Sequence, residues 1–463
     1  MTAKAAGPPP ERTLAAVSLK RGIFYTFLTQ GPTLVLYFVA STLMTRILGD
    51  EGRGAFALLQ NQVTLVAMVL GFGMSMGTTY FTARDQGDPT RMVRVCTSLL
   101  LVNMVVVPLF FLLVFTVPAL RKVFLPEQAV HWGYWLYLLL NVLFSQTSSF
   151  IGSIMLGLKK FKIINRMSIF TAAGGAVGFT TLYLFRDTLH PGAVLPSVLA
   201  ITLGYTALTA ITWATIYARV VGIMPKPTWS WAVLRPVLAF VLIGYTGNLI
   251  NLINYRFDVW VVGSYAGTAQ LGLYAVAVGI GQLFLYIPEP FANVIQPYLY
   301  GEMSSQLLSK FKFIMRLNFT TVMLLALMAG LFAPWFMPML FGEVFQGSVT
   351  ALWWLLPGIA LVACSKLLGP LIVQGGYIRF NLYAVAASAV VTVVLDFILV
   401  PSFGIQGAAL ASSLAYLTNV TIQCLVVRFK LGIPIWDMFL LRPSDIGRVR
   451  QLITDRLRPG PSA

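Results

Sequence analysis

Residues 23–48 read IFYTFLTQGPTLVLYFVASTLMTRIL, a run of 26 residues with one charged side chain, Arg46. A helix needs roughly 20 mainly apolar residues to cross the hydrocarbon core of a bilayer. The run is too long for the core of a signal peptide, and no small-residue cleavage site follows it. It therefore predicts a retained first transmembrane helix behind a polar and basic N-terminal tail, residues 1–22.

The rest of the chain has the same apolar character. Of its 463 residues 58% are hydrophobic and 10% are charged, whereas a soluble domain carries roughly 25% charged residues. The pattern predicts an all-α polytopic membrane protein without a soluble domain. Apolar runs between helix breakers predict twelve transmembrane helices, at 23–48, 55–83, 92–117, 129–156, 165–185, 195–218, 236–262, 269–298, 311–337, 346–373, 380–400 and 405–428.

The basic residues indicate how this chain is oriented. Of 32 Lys and Arg residues, 25 lie in the two tails and in the loops on one side of the predicted membrane, and 5 lie in the opposite loops. Cytoplasmic loops are enriched in Lys and Arg, so both termini are predicted to be cytoplasmic. This placement also explains the net charge of +17 without nucleic acid as a partner, and it makes membrane lipids the expected surroundings.

An internal repeat divides the chain into two halves. Gly49-Asp-Glu-Gly-Arg-Gly54-Ala-Phe56-Ala57 follows the first predicted helix, and Gly267-Thr-Ala-Gln-Leu-Gly272-Leu-Tyr274-Ala275 follows the seventh, at an offset of 218 residues. With six helices per half, the repeat is parallel, about an axis along the membrane normal. It predicts two six-helix bundles, residues 23–218 and 236–430, joined by a cytoplasmic linker, 219–235.

The C-terminal tail, residues 431–463, carries a second periodic pattern. Apolar residues recur at helical spacing among arginines after Ser444-Asp445: Ile446, Val449, Ile453 and Leu457. This is typical of an amphipathic helix on an anionic membrane surface. A disordered basic tail that only enforces topology is the alternative.

Enzyme chemistry finds little support in the sequence. The three cysteines are scattered through apolar runs, and there are two histidines. We find no paired-carboxylate motif, phosphate-binding glycine loop or set of metal ligands. The expectation is a transporter without a cofactor or a metal site.

Five charged residues inside the predicted helices are the candidates for function, because a charge at the centre of a spanning helix costs about 2.5–3.5 kcal/mol. They are Arg256, Asp258, Glu289, Lys366 and Asp396. Arg256, Asp258 and Asp396 lie near helix ends, where snorkelling to the interface is the alternative. Glu289 and Lys366 have apolar residues on both sides, which favours a functional or paired role.

The seventh predicted helix carries a polar stripe. Asn248, Asn251, Tyr255 and Asp258 follow each other at intervals of three and four residues and so share one face of a helix. Arg256 points to another side, about 160° from Asp258 at 100° per residue. The stripe is expected to face a water-filled cavity, or else to form hydrogen bonds between helices.

Helix breakers inside two predicted helices favour bends at membrane depth. The first helix contains Gly31-Pro32, and the eighth contains Pro288-Glu289-Pro290. Such residues are tolerated where neighbours or cavity water satisfy the backbone, and transporters use them as hinges.

The ordered set of motifs resembles the Wzx-type polysaccharide flippases of the multidrug/oligosaccharidyl-lipid/polysaccharide (MOP) exporter superfamily. The resemblance covers about residues 18 to 430. It rests on Thr45-Arg46-Ile47-Leu48-Gly49-Asp50-Glu51-Gly52-Arg53-Gly54, on Gly71-Phe72-Gly73, on Arg256-Phe257-Asp258 with Gly272-Leu273-Tyr274-Ala275, and on Pro401-Ser402-Phe403-Gly404-Ile405-Gln406-Gly407.

The resemblance implies two bundles around a central cavity in the bacterial inner membrane, working by alternating access. The implied cargo is an undecaprenyl-diphosphate-linked oligosaccharide, passed on to polysaccharide polymerase or export machinery. Arg46, Arg256 or Lys366 would attract the diphosphate. Asp258, Glu289 or Asp396 would bind a coupling proton or sodium ion, although Asp396 stands where the resemblance implies a neutral amide.

Three other functions stay open at this point. A cation-coupled multidrug exporter would share the fold but prefer an anionic cavity, which Lys366 and Arg256 disfavour. A flippase for a lipid II-type precursor usually carries two more helices. A membrane polysaccharide polymerase or ligase would need a large outer loop with carboxylates, and no predicted loop is long enough.

Overall fold

The computed structural model describes residues 19–84, 89–124, 132–221, 231–289, 305–439, 441–443, 445 and 447. Within them the chain forms helices joined by short turns. These are α1 Leu19–Gly71, α2 Met74–Arg84, α3 Pro89–Thr116, α4 Pro118–Phe124, α5 Trp132–Gly157, α6 Phe161–Leu184, α7 Val194–Val221, α8 Trp231–Tyr265, α9 Gly267–Leu283, α10 Ser305–Phe341, α11 Ser348–Gln374, α12 Ile378–Phe429 and α13 Trp436–Phe439.

The helices confirm the predicted polytopic fold. Within the described ranges, nine helical segments are long and apolar enough to cross a membrane. Two of them, α1 and α12, are each a pair of helices joined at a glycine with left-handed backbone, Gly49 (φ 66°) and Gly404 (φ 57°), a conformation that glycine adopts without steric cost. Because α1 and α12 each count twice, the nine segments give eleven crossings, and α8, of 35 residues, adds the twelfth. Six crossings lie in α1–α7 (the N-lobe) and six lie in α8–α13 (the C-lobe).

Each lobe has its own apolar core, and its outer surface is apolar as well. The N-lobe core joins α1, α3, α5, α6 and α7 around buried residues such as Val66, Leu138 and Val198. The C-lobe core joins α8 to α12. On the outside of α10, Leu327 is 69% exposed and Leu331 is 73% exposed. Large apolar side chains exposed to this degree indicate that this surface faces lipid.

The two lobes meet where the repeated glycine motif occurs in each of them. Leu58 of α1 is part of the C-lobe core. A methyl group at Gly54 of α1 would lie 2.9 Å from the backbone nitrogen of Gly272 in α9 and would clash with the carbonyl oxygen of Thr268. The helix backbones therefore touch here, as at small-residue contacts between membrane helices. We call this part of the molecule the Gly49 end, and the opposite part, where α11 ends at Gln374, the Gly375 end.

The segment after α12 docks at the Gly375 end of the C-lobe. Ile433 and Met438 are buried against Phe311 and Met315 of α10. Arg316 donates two hydrogen bonds, of 2.7 and 2.8 Å, to the carboxylate of Asp445, and both side chains are at least 95% buried. The predicted amphipathic helix beyond Ser444 lies outside the described residues, except for Asp445 and Gly447.

Several predicted helix bounds differ from those of the structure. The chain stays helical through Gly31 and Pro32, so the hinge predicted there does not interrupt the helix and stays a prediction. The eighth predicted helix is interrupted, because α9 ends at Leu283 and a 3-10 turn, Phe284–Tyr286, follows. Helix α10 begins at Ser305, six residues before its predicted start, since polar residues of a membrane helix can extend it beyond the apolar run.

Candidate functional site

Polar and aromatic side chains from both lobes face one another between the lobes. Tyr37 of α1 and Tyr286, in the 3-10 turn after α9, are 43% and 40% exposed and lie within electrostatic range of each other. Tyr286 is also within electrostatic range of Glu289. The interrupted stretch after α9 therefore presents its polar residues toward the N-lobe.

Glu289 and Lys366, which the sequence left as separate candidates, form an ion pair. Lys366 Nζ of α11 lies 2.7 Å from Glu289 Oε1, and it is 3.4 Å from the backbone carbonyl oxygen of Leu285. The two side chains are 30% and 36% exposed. The pair is accessible rather than sealed in the core, so another anion can reach the ammonium group.

The break after α9 places Glu289. The 3-10 turn Phe284–Tyr286 leads into a short helical stretch at Pro288 and Glu289. Proline has no backbone N–H to donate and fits the first turn of a helix, so Pro288 suits the position where the helix resumes. Of the two prolines predicted to bend this helix, Pro288 is adjacent to the break and Pro290 lies outside the described residues.

A cavity of about 360 Å³ lies on the N-lobe side of the interlobe space. Tyr245 of α8 lines it and donates a hydrogen bond of 2.9 Å to the Val69 carbonyl oxygen of α1. Its polar lining consists of hydroxyl and amide side chains: Gln60, Thr64, Ser75, Ser145, Gln146, Ser149, Tyr245 and Asn248. We call it the interlobe pocket.

The polar stripe of α8 divides between two environments. Asn248 lines the interlobe pocket, whereas the Tyr255 ring packs against Tyr416 of α12, 5.8 Å between centroids. Asn251 is half-buried one turn from Asn248. Asn254, which sequence reasoning missed, donates a hydrogen bond of 3.0 Å to the Val385 carbonyl oxygen. The stripe thus runs from the interlobe space into the interior of the C-lobe.

The far end of the stripe leads to two buried carboxylates. Asp258 accepts a hydrogen bond of 2.6 Å from Tyr274 of α9, whose hydroxyl is also 3.4 Å from the Ser412 hydroxyl. Asp396 of α12 is fully buried within electrostatic range of Asp258. Among the described residues, neither oxygen of Asp396 has a hydrogen-bond partner, so the snorkelling alternative does not describe Asp396 in this conformation.

The two remaining cationic candidates lie in different parts of the molecule. Arg256 is half-buried on α8, within electrostatic range of Asp258 and Tyr416. Arg46 is at the Gly49 end, where it donates a hydrogen bond of 2.6 Å to the Leu340 carbonyl oxygen and another to that of Met339. These carbonyls end α10, so Arg46 ties the N-lobe to the C-lobe.

Sequence reasoning missed most of the interlobe pocket. Its signal was a run of five polar residues inside an apolar helix, Ser145-Gln146-Thr147-Ser148-Ser149, which carries no charge and therefore escaped a search for charged groups. Asn254 had a signal too, four residues before Asp258 on the same helix face. Among the described residues, no group of three or more His, Cys, Asp and Glu side chains could hold a metal ion.

Comparison with known families identifies the chain. Residues 19–303 match the family described as Polysaccharide biosynthesis protein. The chain belongs to the polysaccharide biosynthesis protein family. No curated protein matches the sequence.

Solved structures confirm the fold of this family member. The lipid II flippase MurJ in an inward closed conformation aligns with a TM-score of 0.66 and 13% identity, over 95% of this chain and 94% of that one. An inward-facing multidrug resistance MATE transporter of the MOP superfamily aligns with a TM-score of 0.67 and 17% identity, over 86% of this chain and 94% of that one. A MOP superfamily transporter from Pyrococcus furiosus, described as having a binding pocket of reverse polarity, aligns with a TM-score of 0.59 and 17% identity, over 91% of this chain and 99% of that one. Family and fold together support a membrane transporter or flippase.

Proposed function

We propose that the protein is a flippase for a polyprenyl-diphosphate-linked oligosaccharide, the substrate class of the Wzx-type flippases that its sequence resembles. The observation that carries this proposal is the half-exposed Lys366–Glu289 pair, which Tyr286 links electrostatically to Tyr37 of the N-lobe. A lysine ammonium binds phosphate oxygens as a point charge. A diphosphate can therefore compete with Glu289 for Lys366.

The proposed direction of transport follows from the charge distribution of the loops. The excess of Lys and Arg assigns the Gly375 end to the cytoplasm of a bacterial inner membrane and the Gly49 end to the outside. With the Gly54–Gly272 crossing and Arg46 joining the lobes at the Gly49 end, the described conformation is closed to the outside. The cargo enters from the inner leaflet and leaves after the lobes separate at the Gly49 end.

Asp258 and Asp396 are the proposed site of a coupling ion. A buried carboxylate without a partner is costly in a membrane protein. A proton or a sodium ion at Asp396 removes that cost, and its release would favour a different arrangement of α8, α9 and α12. The carboxylates thus couple an ion gradient to the movement of the C-lobe.

The proposal is tested in the host with the gene deleted. We expect a lipid-linked glycan to accumulate on the inner leaflet, and the wild-type gene to clear it. Lys366→Glu should fail to clear it at normal protein abundance, while Lys310→Glu, an exposed lysine of α10, should behave as wild type. Accumulation of a peptidoglycan precursor would identify a lipid II-type flippase instead, and a cell envelope unchanged by the deletion would rule out the proposed function.

A further inference from the structure

The interlobe pocket differs chemically from the charged pair, although the internal repeat places them at equivalent positions. At the offset of 218 residues, Gly71 corresponds to Glu289 and Ser148 corresponds to Lys366. Gly71 lies where α1 ends and Glu289 lies just after α9 ends, so each lobe has a helix break at similar depth. The C-lobe presents an ion pair there, and the N-lobe presents uncharged groups.

The pocket offers hydrogen-bonding groups that the protein itself holds in place. Gln146 Nε2 donates a hydrogen bond of 2.7 Å to the Ala67 carbonyl oxygen, which leaves the amide oxygen of the side chain to accept. Ser75 and Ser149 hydroxyls lie 3.0 Å apart. Each hydroxyl can donate one hydrogen bond and accept two. The hydrogen bond between Ser75 and Ser149 therefore leaves one donor and several acceptor positions free for a ligand.

The lining explains which ligands the pocket excludes. None of the described residues that line it is charged. An ionic group placed there would lose its hydration without gaining a counterion. An uncharged sugar ring would instead exchange its hydrogen bonds to water for hydrogen bonds to the amide and hydroxyl groups of the pocket. The volume of about 360 Å³ is within the range of small-molecule sites, about 300–1,000 Å³.

An aromatic side chain, Phe72, lies between two residues that line the pocket, Gly71 and Gly73. Phe72 is 44% exposed and its ring centroid is 5.9 Å from that of Tyr245. Phe72 has a left-handed backbone, φ 43°, which is unfavourable for a bulky residue and occurs in tight turns and at functional sites. Its flat apolar face suits the C–H face of a sugar ring.

We infer that the interlobe pocket binds an uncharged saccharide ring of the cargo while Lys366 binds the diphosphate. This inference rests on the proposed function. The cargo then lies across the pseudo-symmetry axis, with its glycan on the N-lobe and its diphosphate on the C-lobe. Because both lobes hold one part of it, the cargo links the two bodies that must move relative to each other.

The test uses the purified full-length protein and two kinds of C15 prenyl diphosphate probe, one bare and the other carrying a single hexose or N-acetylhexosamine. Wild type should bind the preferred glycosylated probe about tenfold more tightly than the bare probe, as expected when one or two hydrogen bonds are added. Asn248→Leu and Ser149→Ala should each remove most of this difference and leave the affinity for the bare probe unchanged. Ser168→Ala, at an exposed serine of α6, is the control and should keep the full difference.

The outcomes separate this inference from the proposed function. Lys366→Gln should lower the affinity for both probes by a similar factor, so that the ratio of the two affinities is unchanged. Equal affinity of wild type for all probes, or a ratio that survives both pocket substitutions, would overturn the saccharide site while leaving the diphosphate site intact. Failure of wild type to bind any probe would overturn the proposed function itself. Unchanged binding of the bare probe shows that a pocket variant is folded.

Discussion

Gly54 of α1 and Gly272 of α9 lie against each other in a reciprocal contact. A methyl group on Gly54 would be 2.9 Å from the Gly272 nitrogen, and one on Gly272 would be 3.0 Å from the Gly54 nitrogen. Each would also clash with a backbone carbonyl of the other helix, that of Thr268 or that of Asp50. The two copies of the repeated motif thus pack on each other, as expected for a contact on a pseudo-two-fold axis.

Gly54→Ala and Gly272→Ala should each force the lobes apart at the Gly49 end. Overpacking of a close contact typically costs about 1–3 kcal/mol, which is enough to shift a two-state equilibrium at least several-fold. Spin labels on cysteines at Glu51 and Gln270, both exposed near this end, should report a longer distance in a background without native cysteines. Gly279→Ala, in open space on α9, should keep the wild-type distance. Unchanged distances in both Gly54 and Gly272 variants would contradict the close contact.

Arg46→Gln should weaken the same closure by removing a charged donor. Hydrogen bonds to charged groups contribute about 1.5–3 kcal/mol, and the exposure of Arg46 puts the expected loss at the lower end, roughly a tenfold shift toward separated lobes. The spin-label distance measures this shift. Lys162→Gln, at an exposed lysine of α6 away from the Gly49 end, is the control and should keep the wild-type distance.

Asp396→Asn should uncouple transport without unfolding the C-lobe. The amide keeps the shape of the carboxylate and removes a buried charge whose oxygens have no partner among the described residues. In proteoliposomes, the variant should lose any acceleration of cargo movement by an imposed proton or sodium gradient, with a melting temperature at or above that of wild type. Glu343→Gln, at an exposed residue of the Gly49 end, should respond to the gradient as wild type does. A full response of the Asp396 variant would exclude Asp396 as the coupling site.

Truncation should show that the segment after α12 is structural. A chain that ends after Lys430 loses the Arg316–Asp445 pair and the apolar contacts of Ile433 and Met438 with α10. We expect a clear fall in melting temperature for this truncation and none for a chain that ends after Gly447. If the tail is only a topology anchor, both truncated proteins should melt as wild type does.

Docking of that segment should also depend on pH through Asp437. A hydrogen bond from Lys312, 3.1 Å long, together with the charges of Lys312 and Arg442, lowers the pKa of Asp437, and partial burial opposes this effect. A carboxyl with a lowered pKa stabilises the folded state above its unfolded pKa and loses that contribution as the pH falls through its folded pKa. Protection of residues 431–447 from protease should therefore decline below about pH 4.

Two variants check the source of this pH dependence. Asp437→Asn should be protected less at neutral pH and should show a weaker decline in acid. Asp187→Asn removes a carboxylate that is 88% exposed at the other end of the molecule, so it should follow the wild-type profile. A wild-type profile in the Asp437 variant would show that another group controls docking.

The features that the sequence predicted well are those with a strong local signal. The apolar runs and the glycine repeat predicted twelve helices in two lobes, because a bilayer imposes helix length and polarity directly on the sequence. The ends of helices were less certain. The eighth predicted helix is interrupted after Leu283 by a 3-10 turn, because prolines next to an apolar run mark a break without giving its exact position.

The candidate site was predicted in part. Lys366 and Glu289 stood out because each is a charge in an apolar run, but their pairing joins residues 77 positions apart and has no sequence signal. The uncharged pocket around Gln146 went unnoticed, because serine and glutamine within a membrane helix are as typical of helix packing as of ligand binding.

The sequence by itself determined that the chain crosses a bilayer many times, that its halves repeat and that a few charges lie at membrane depth. Local composition is enough for these conclusions, since burial in lipid selects residues one helix at a time. The tertiary structure decided which side chains meet: Gly54 with Gly272, Lys366 with Glu289, and Asp258 with Tyr274. Such contacts depend on the crossing of helices distant in sequence, and helix crossing is determined by packing in three dimensions.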